Sequence, residues 1–396
     1  MKLQYHGFQT AAGSPVREAA TAIRHQEAAG RAKPLLVGYT PVARVNPFQS
    51  LLYSQLRQAG IAVAPITDPW AFDELLRLAH QTSGVVVHIH WPSFVLRGVS
   101  SSVEAEQRVD EFEAKVRAFT ASGGRLLWTV HNLVTHDAVY VDAELRLQQL
   151  IADSAWRIHV MHESTASLTQ DFVRLEDAKT FVIPHPAYLG AYEDYITRAE
   201  ARETLQIDPD EVVYTIFGAI MAYKGIEDFL EGFDAVASSG RPRRLIVAGA
   251  GDGSEKTERL LDRLRAHPRV LLDDRKVPAD RVQFLLRAAD IMVAPHARAL
   301  NSGAALLGPT FERPLLARRV GVLPHLLEQS FTEFFDGPQN AAEAIIAADR
   351  LVGEEARSAA ADFAVRHHAS RISSDFAQYL LTEAAVPAGL DVHENA

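Results

Sequence analysis

The chain's 396 residues, 47% hydrophobic and 23% charged, are too many for one core and fit about two soluble globular domains. A net charge of -10 argues against bulk nucleic-acid binding, because neutralising phosphates needs a basic surface. Cysteine is absent, which excludes disulfides, thiolate zinc sites and cysteine nucleophiles and suits a cytoplasmic protein; no apolar run reaches the length of a membrane span, no signal-peptide core opens the chain, and peripheral membrane contact stays open.

Ser14-Pro15 ahead of Val16 to Ala29 predicts a helix with proline in its first turn, carried on a loosely attached extension up to Lys33. Pro34 to Tyr39 is the first run that reads as a buried strand. After a loop from Thr40 to Pro47, a helix is predicted over Phe48 to Ala59, stopped by Gly60, and a strand over Ile61 to Pro65. Trp70 to His80 reads as helix, Val85 to His90 as strand, Ser102 to Ser122 as a long amphipathic helix, and Arg125 to Val130 as strand. A helix over Asp142 to Ile151, a strand over Trp156 to Met161, a helix over Ser164 to Phe172 and a strand over Phe181 to Pro184 complete the first series. Such alternation implies a parallel sheet wrapped by helices.

Ala187 to Arg198 reads as a linker, and a second series follows. Helices are predicted over Arg198 to Leu205, Ile226 to Ala237, Glu255 to Ala266 and Asp280 to Ala288. Strands are predicted over Val212 to Phe217, Arg244 to Ala248, Val270 to Asp273 and Asp290 to Pro295. Asn301-Ser302-Gly303 then opens a helix through Phe311, whose free amides and positive dipole end form an anion site. Pro314 to Ala317 and Phe331 to Phe335 read as strands. Helices follow near Ala341 to Leu351, over Glu354 to Arg366 and over Arg371 to Glu383, with a frayed tail beyond.

Histidines gather at predicted strand ends: His88, His90, His131 and His185, with His136-Asp137 in the loop after His131. Carboxyl ends of one parallel sheet share an edge, so these side chains can converge. Histidine there can donate to a phosphate or sugar oxygen, or accept a proton near neutral pH. Asp137 suits either a general base or a helix cap. No HExxH or similar metal spacing occurs. In the second half, Lys224-Gly225 in a strand-to-helix loop suits a diphosphate. Gly249-Ala250-Gly251 resembles part of a dinucleotide fingerprint, but Ser254 stands in the third glycine's place, so it reads as a tight turn.

Together these phrases resemble a GT-B glycosyltransferase, family-4-like or of the exopolysaccharide mannosyltransferase sort. They are Asn46-Pro47-Phe48-Gln49, His88-Ile89-His90-Trp91-Pro92, Thr129-Val130-His131-Asn132-Leu133 with His136-Asp137, Phe217-Gly218 with Tyr223-Lys224-Gly225, Val247-Ala248-Gly249-Ala250-Gly251, and Asn301-Ser302-Gly303 with Arg313-Pro314. The resemblance implies two Rossmann-like doubly wound domains facing across a cleft. Residues 1-187 would form the acceptor-side domain, joined by a crossing helix at 367-384. Residues 188-366 would bind the nucleotide-sugar, and 385-396 would form a flexible tail. It implies metal-independent transfer of a hexose from a GDP- or UDP-sugar to a hydroxyl, on a saccharide or lipid-linked acceptor, with no cofactor beyond the donor substrate. By the same likeness His131 and Asp137 are catalytic. Gly218, Lys224, Gly249, Asn301, Ser302 and Gly303 meet the donor; Asn46, His90 and His136 lie on the acceptor side. Inversion would need a base, Asp137 or His131; retention would have His131 steady the donor sugar. Two departures stand out: Ala219 replaces a common arginine, and Ala299 and Leu307 occupy the places of two glutamates that hold sugar and ribose. A sugar-nucleotide epimerase on the same fold and a catalytically degenerate binding subunit are the alternatives.

Overall fold

The computed structural model describes residues 14–43, 46–132, 139–221, 224–236 and 240–385. The chain divides into two compact units. One runs up to Pro186 and takes in the chain again from Ala369; the other spans Ala187–His368.

The first unit is built on six parallel strands: β1 Leu35–Thr40, β2 Ala62–Pro65, β3 Gly84–Ile89, β4 Arg125–Thr129, β5 Arg157–Val160 and β6 Thr180–Val182, in the order β2-β1-β3-β4-β5-β6. Every residue of β1 is buried, as a strand covered on both faces requires. The chain leaves β1 towards β2, then returns to β1's other side with β3. That reversal leaves a crevice beyond the carboxyl ends of β1 and β3, where doubly wound sheets bind ligands.

Three predicted elements differ. The N-terminal segment is not loosely attached where it is described. Helix Val16–Ala28 buries Ala19 and Ile23, and Gln26 Nε2 donates to the carbonyls of Arg57 and Ile61 at 2.9 and 3.0 Å. The predicted helix over Phe48 to Ala59 is regular only over Phe48–Leu52, and beyond it the N–H of Gln55 turns to the Ser373 hydroxyl at 2.8 Å. Pro69–Gln81 is a 3-10 segment, entered by an Asp68 cap on the Trp70 N–H at 3.1 Å.

The final helix, Ala369–Ala385, belongs to this unit, as the resemblance implied. Ile372, Phe376, Ala377 and Leu380 complete a core with Leu35, Tyr53, Leu127 and Phe181. Glu383 pairs with Arg157 Nε at 2.9 Å.

The second unit repeats the plan with β7 Val212–Phe217, β8 Arg243–Ala248, β9 Val270–Asp273, β10 Ile291–Ala294, β11 Leu315–Arg318 and β12 Thr332–Phe335, in the order β12-β11-β10-β7-β8-β9. Its reversal falls between β7 and β10. A buried ion pair ties those two strands at their entry. The Asp290 carboxylate accepts from Arg202 at 2.7 Å and from the Val213 N–H at 2.8 Å. Phe229, Phe233 and Ile345 pack on Tyr214 and Leu245 over one sheet face.

Candidate active site

In the second unit the crevice beyond β7 and β10 is a small recess, walled by Phe217, Gly218, Ala219 and Lys224 on one side and Pro295 and His296 on the other. This is where the strand order reverses, so both loops diverge and leave room for a ligand. Lys224 is the cation of this wall. Among the described residues no carboxylate lies within salt-bridge distance of it, and burial holds its ammonium below lysine's ordinary pKa. Gly225 is required for packing: its φ is +75°, and a Cβ would stand 2.2 Å from the Pro295 carbonyl oxygen. Lys224 is thereby pinned beside the end of β10.

The helix Gly303–Thr310 starts in the loop after β10, with Ser302 at its N-cap position. Ser302 is buried, makes no side-chain cap, and its hydroxyl has no hydrogen-bond partner among the described residues. Gly303 lies against the Tyr188 hydroxyl, which a Cβ would approach to 2.6 Å. Asn301 directly precedes them. Gly249 does not itself line the recess; its N–H donates to the Asp273 carbonyl at 2.8 Å, and it lies so close behind Gly218 that a Cβ would stand 2.0 Å from the Gly218 carbonyl oxygen. The glutamate places hold partly buried Ala299 and buried Leu307, neither of which can bond a hydroxyl.

In the first unit the histidines do converge. His90 Nδ1 and His131 Nε2 are 3.0 Å apart, the His131 ring stacks on Trp91 at 4.3 Å, and Phe48 meets His131 edge-on at 4.9 Å. His185 also packs against Phe48, and its Nδ1 donates to the Pro186 carbonyl at 2.8 Å. A second small recess is lined by His90, Trp91, Trp128, His131, Asn132 and Glu144. Trp128 Nε1 is buried there without a partner among the described residues. Asn46 has a structural task, since its Oδ1 accepts the Phe48 N–H at 3.0 Å and starts the helix that carries Phe48. His136 and Asp137 lie outside the described residues.

Behind His90 the contacts continue inward through His88 and Thr129, and through Tyr53 and His159, which sequence reasoning did not single out. Tyr53 Oη lies 2.5 Å from His90 Nε2 and 2.7 Å from His88 Nδ1. His88 Nε2 lies 2.6 Å from Thr129 Oγ1, which lies 2.9 Å from His159 Nδ1, and His159 Nε2 ends on the Ile183 carbonyl at 2.8 Å. Burial pushes the imidazolium pKa values of His88, His90 and His131 well down, with neighbouring histidines adding to the effect, and takes His159 to about 4. Burial raises the Tyr53 phenol. All five rings are therefore uncharged near neutral pH. Sequence signals for this set were a histidine inside the buried strand β5 and a threonine closing β4.

Comparison with known proteins agrees with the fold. The family described as "Glycosyl transferases group 1" matches residues 211–353. A GDP-mannose:glycolipid 4-beta-D-mannosyltransferase of Xanthomonas campestris pv. campestris is 25% identical over 305 residues, 73% of this chain and 74% of that protein. Sucrose-phosphate synthase of Thermosynechococcus elongatus shares the fold at a TM-score of 0.66, with 14% identity, over 89% of this chain and 100% of that one. The structure of Anabaena HepE in complex with UDP and glucose does so at 0.63, also with 14% identity, over 88% and 100%.

Proposed function

We propose that the chain is a group 1 glycosyltransferase that transfers a hexose from a GDP- or UDP-sugar to a hydroxyl on a saccharide or lipid-linked acceptor, a reading supported by its two parallel-sheet units and its likeness to such enzymes. The observation that carries the donor half of this reading is Lys224. It is a partly buried cation with no carboxylate partner among the described residues, set in the recess at the strand-order reversal. A diphosphate supplies the missing counter-charge, and a lysine beside a leaving diphosphate stabilises the charge that develops as the glycosidic bond breaks. Gly218 and the start of helix Gly303–Thr310, with the uncommitted Ser302 hydroxyl, are assigned to the same donor. With Ala299 and Leu307 in place of carboxylates, backbone amides and Ser302 take over the hold on sugar and ribose.

Residues 188–366 are assigned to the donor, and residues 1–187 with 367–384 to the acceptor. His131 is proposed as the base that takes the acceptor hydroxyl's proton, with Asp137 the alternative. His90 orients it, and Trp91 offers a flat apolar face to a sugar ring. The mannosyltransferase relative's glycolipid acceptor favours a lipid-linked saccharide and a membrane-proximal task. Among the described residues no helix is long and apolar enough to cross a membrane, so such contact would be peripheral.

The test is hydrolysis and transfer with GDP-mannose and UDP-glucose in the presence of a chelator, for the native chain and for Lys224→Ala. Turnover of one donor, lost in the variant, supports the reading. Turnover that is unchanged in Lys224→Ala removes Lys224 from the site.

A further inference from the structure

The turn that carries Lys224 is held from a second strand. Ala317 of β11 pairs with Ala294 of β10, so Arg318, the last residue of β11, comes level with Pro295 in the wall of the recess. Its side chain, 15% exposed, lies against the Lys224–Gly225 turn: a Cβ on Gly225 would meet Nη1 at 3.1 Å. The same Nη1 donates to Asp228 Oδ2 at 2.5 Å, and Nε donates to the Asp336 carbonyl at 3.0 Å. Asp228 lies in the first turn of the helix Ile226–Val236, and through Arg318 its carboxylate stands close to the turn that carries Lys224. Among the described residues no other cation lies within 4.0 Å of that carboxylate. Two opposite charges, Lys224 and Asp228, therefore share one short stretch of chain, and among the described residues only Asp228 is paired. Glu227, the neighbouring acid, makes no ion pair within 4.0 Å among the described residues, with Arg318 or with Lys224.

We propose that Arg318 is a positioning residue for Lys224: by holding the Asp228 carboxylate against β11 it keeps the Lys224 ammonium for the donor diphosphate. The proposal rests on the assignment of Lys224 to the donor and names what leaves that lysine unpaired. A carboxylate within reach of a partly buried ammonium pairs with it unless a better partner holds it, because a charge without a counter-charge is costly away from water. Arginine is the better partner here. Its planar fork fills two sites at once, the Asp228 carboxylate and the Asp336 carbonyl, and so fixes the direction of the pair. Without that fork Asp228 turns to Lys224, and an anionic ligand must first break the new pair. Arg318 also cancels a negative charge that would otherwise repel a diphosphate from the same turn.

Arg318→Gln removes the charge and keeps a donor for the Asp336 carbonyl. Calorimetric titration of the full chain with GDP and UDP should show affinity reduced roughly 3- to 30-fold, within the range for residues coupled in one ion-pair network. Adding Asp228→Asn to that variant should return affinity to within about threefold of native, as should Arg318→Lys, which restores a cation. Glu227→Gln should bind as the native chain does. An arginine that only supports the fold would not be rescued by removing its own partner. A second readout needs no nucleotide. The Lys224 ammonium, followed by the ¹³Cε resonance of labelled lysine and assigned from Lys224→Met, should titrate higher in Arg318→Gln than in the native chain, because a carboxylate then faces it. Native affinity in Arg318→Gln, a double variant that binds no tighter than it, or an unmoved Lys224 titration overturns the inference. If Lys224→Met binds nucleotide as the native chain does while the titration shifts as stated, the donor assignment fails and Arg318 keeps its hold on the charge state of Lys224.

Discussion

Replacing Lys224 by methionine separates a ligand-binding cation from a structural one by the sign of two effects. The side chain sits partly buried in the recess, its pKa depressed by desolvation, with no carboxylate partner within 4.0 Å among the described residues. In the free protein a desolvated charge without a partner is a cost, so an apolar chain of similar length should leave the melting temperature unchanged or raise it. With nucleoside diphosphate bound the sign reverses. A hydrogen bond between charged groups contributes about 1.5–3 kcal/mol, so losing it weakens binding roughly 10- to 150-fold. At ligand 100 times its native dissociation constant, stabilisation is about 2.7 kcal/mol, and a 30-fold loss of affinity reduces it to about 0.9 kcal/mol. Calorimetric titration with GDP and UDP gives the affinity, and thermal melts with and without nucleotide give both signs. Unchanged affinity would refute the reasoning. A free-protein destabilisation as large as the binding loss would equally show that Lys224 holds the fold and not the ligand.

Acid should unfold the first unit early. Burial depresses His159 to about 4 from an ordinary 6.5, so the unfolded chain binds more protons in that window and stability falls as pH falls through it, by about 3 kcal/mol for this group alone. His88, His90 and His131 act in the same direction; urea unfolding at pH 7.5 and 5 measures the loss, and equal stability at both contradicts the buried, neutral assignment. Gly225→Ala should abolish donor binding while the chain stays folded, because the new Cβ would stand 2.2 Å from the Pro295 carbonyl and force Lys224's loop away; native binding by calorimetry would show that the loop tolerates the shift. Asp290→Ala strands Arg202, 2% exposed, without its carboxylate and should cost about 3–5 kcal/mol by chemical denaturation, whereas a change under about 1 kcal/mol would mean water reaches the pair. Phe376→Ala, in the helix Ala369–Ala385, should destabilise the first unit by about 3–5 kcal/mol, measured the same way.

Elements whose ends carry their own chemistry were legible from the residues alone. The helix Glu255–Ala266 begins where Ser254 caps the Thr257 N–H, and β7 is a short apolar run fed by a polar turn, so both lie where the pattern puts them. Elements shaped by distant partners were not. Beyond helix Phe48–Leu52 the Gln55 N–H is taken by a serine more than three hundred residues later, and the docking of Val16–Ala28 depends on Gln26 reaching two carbonyls beyond β1. The site divides in the same way. Histidines at strand ends pointed to a shared edge, and His90 and His131 meet there. Tyr53 and His159 carried no motif, and the meeting of His159 with Thr129 and His88 depends on β4 lying between β3 and β5, a fact of strand order that no local spacing encodes. Gly249 illustrates the converse: its motif was visible, but the conformation serves backbone packing against Gly218.

The central claim is that a nucleoside diphosphate occupies the recess between the ends of β7 and β10. Hydrogen–deuterium exchange of the full chain, with saturating GDP or UDP and a chelator present, tests it directly. The account predicts slowed exchange over 217–226 and 295–304 with one of the two nucleotides, and none of that protection in Lys224→Met. Protection confined to other segments, or binding that leaves both stretches exchanging as in the free protein, would contradict it.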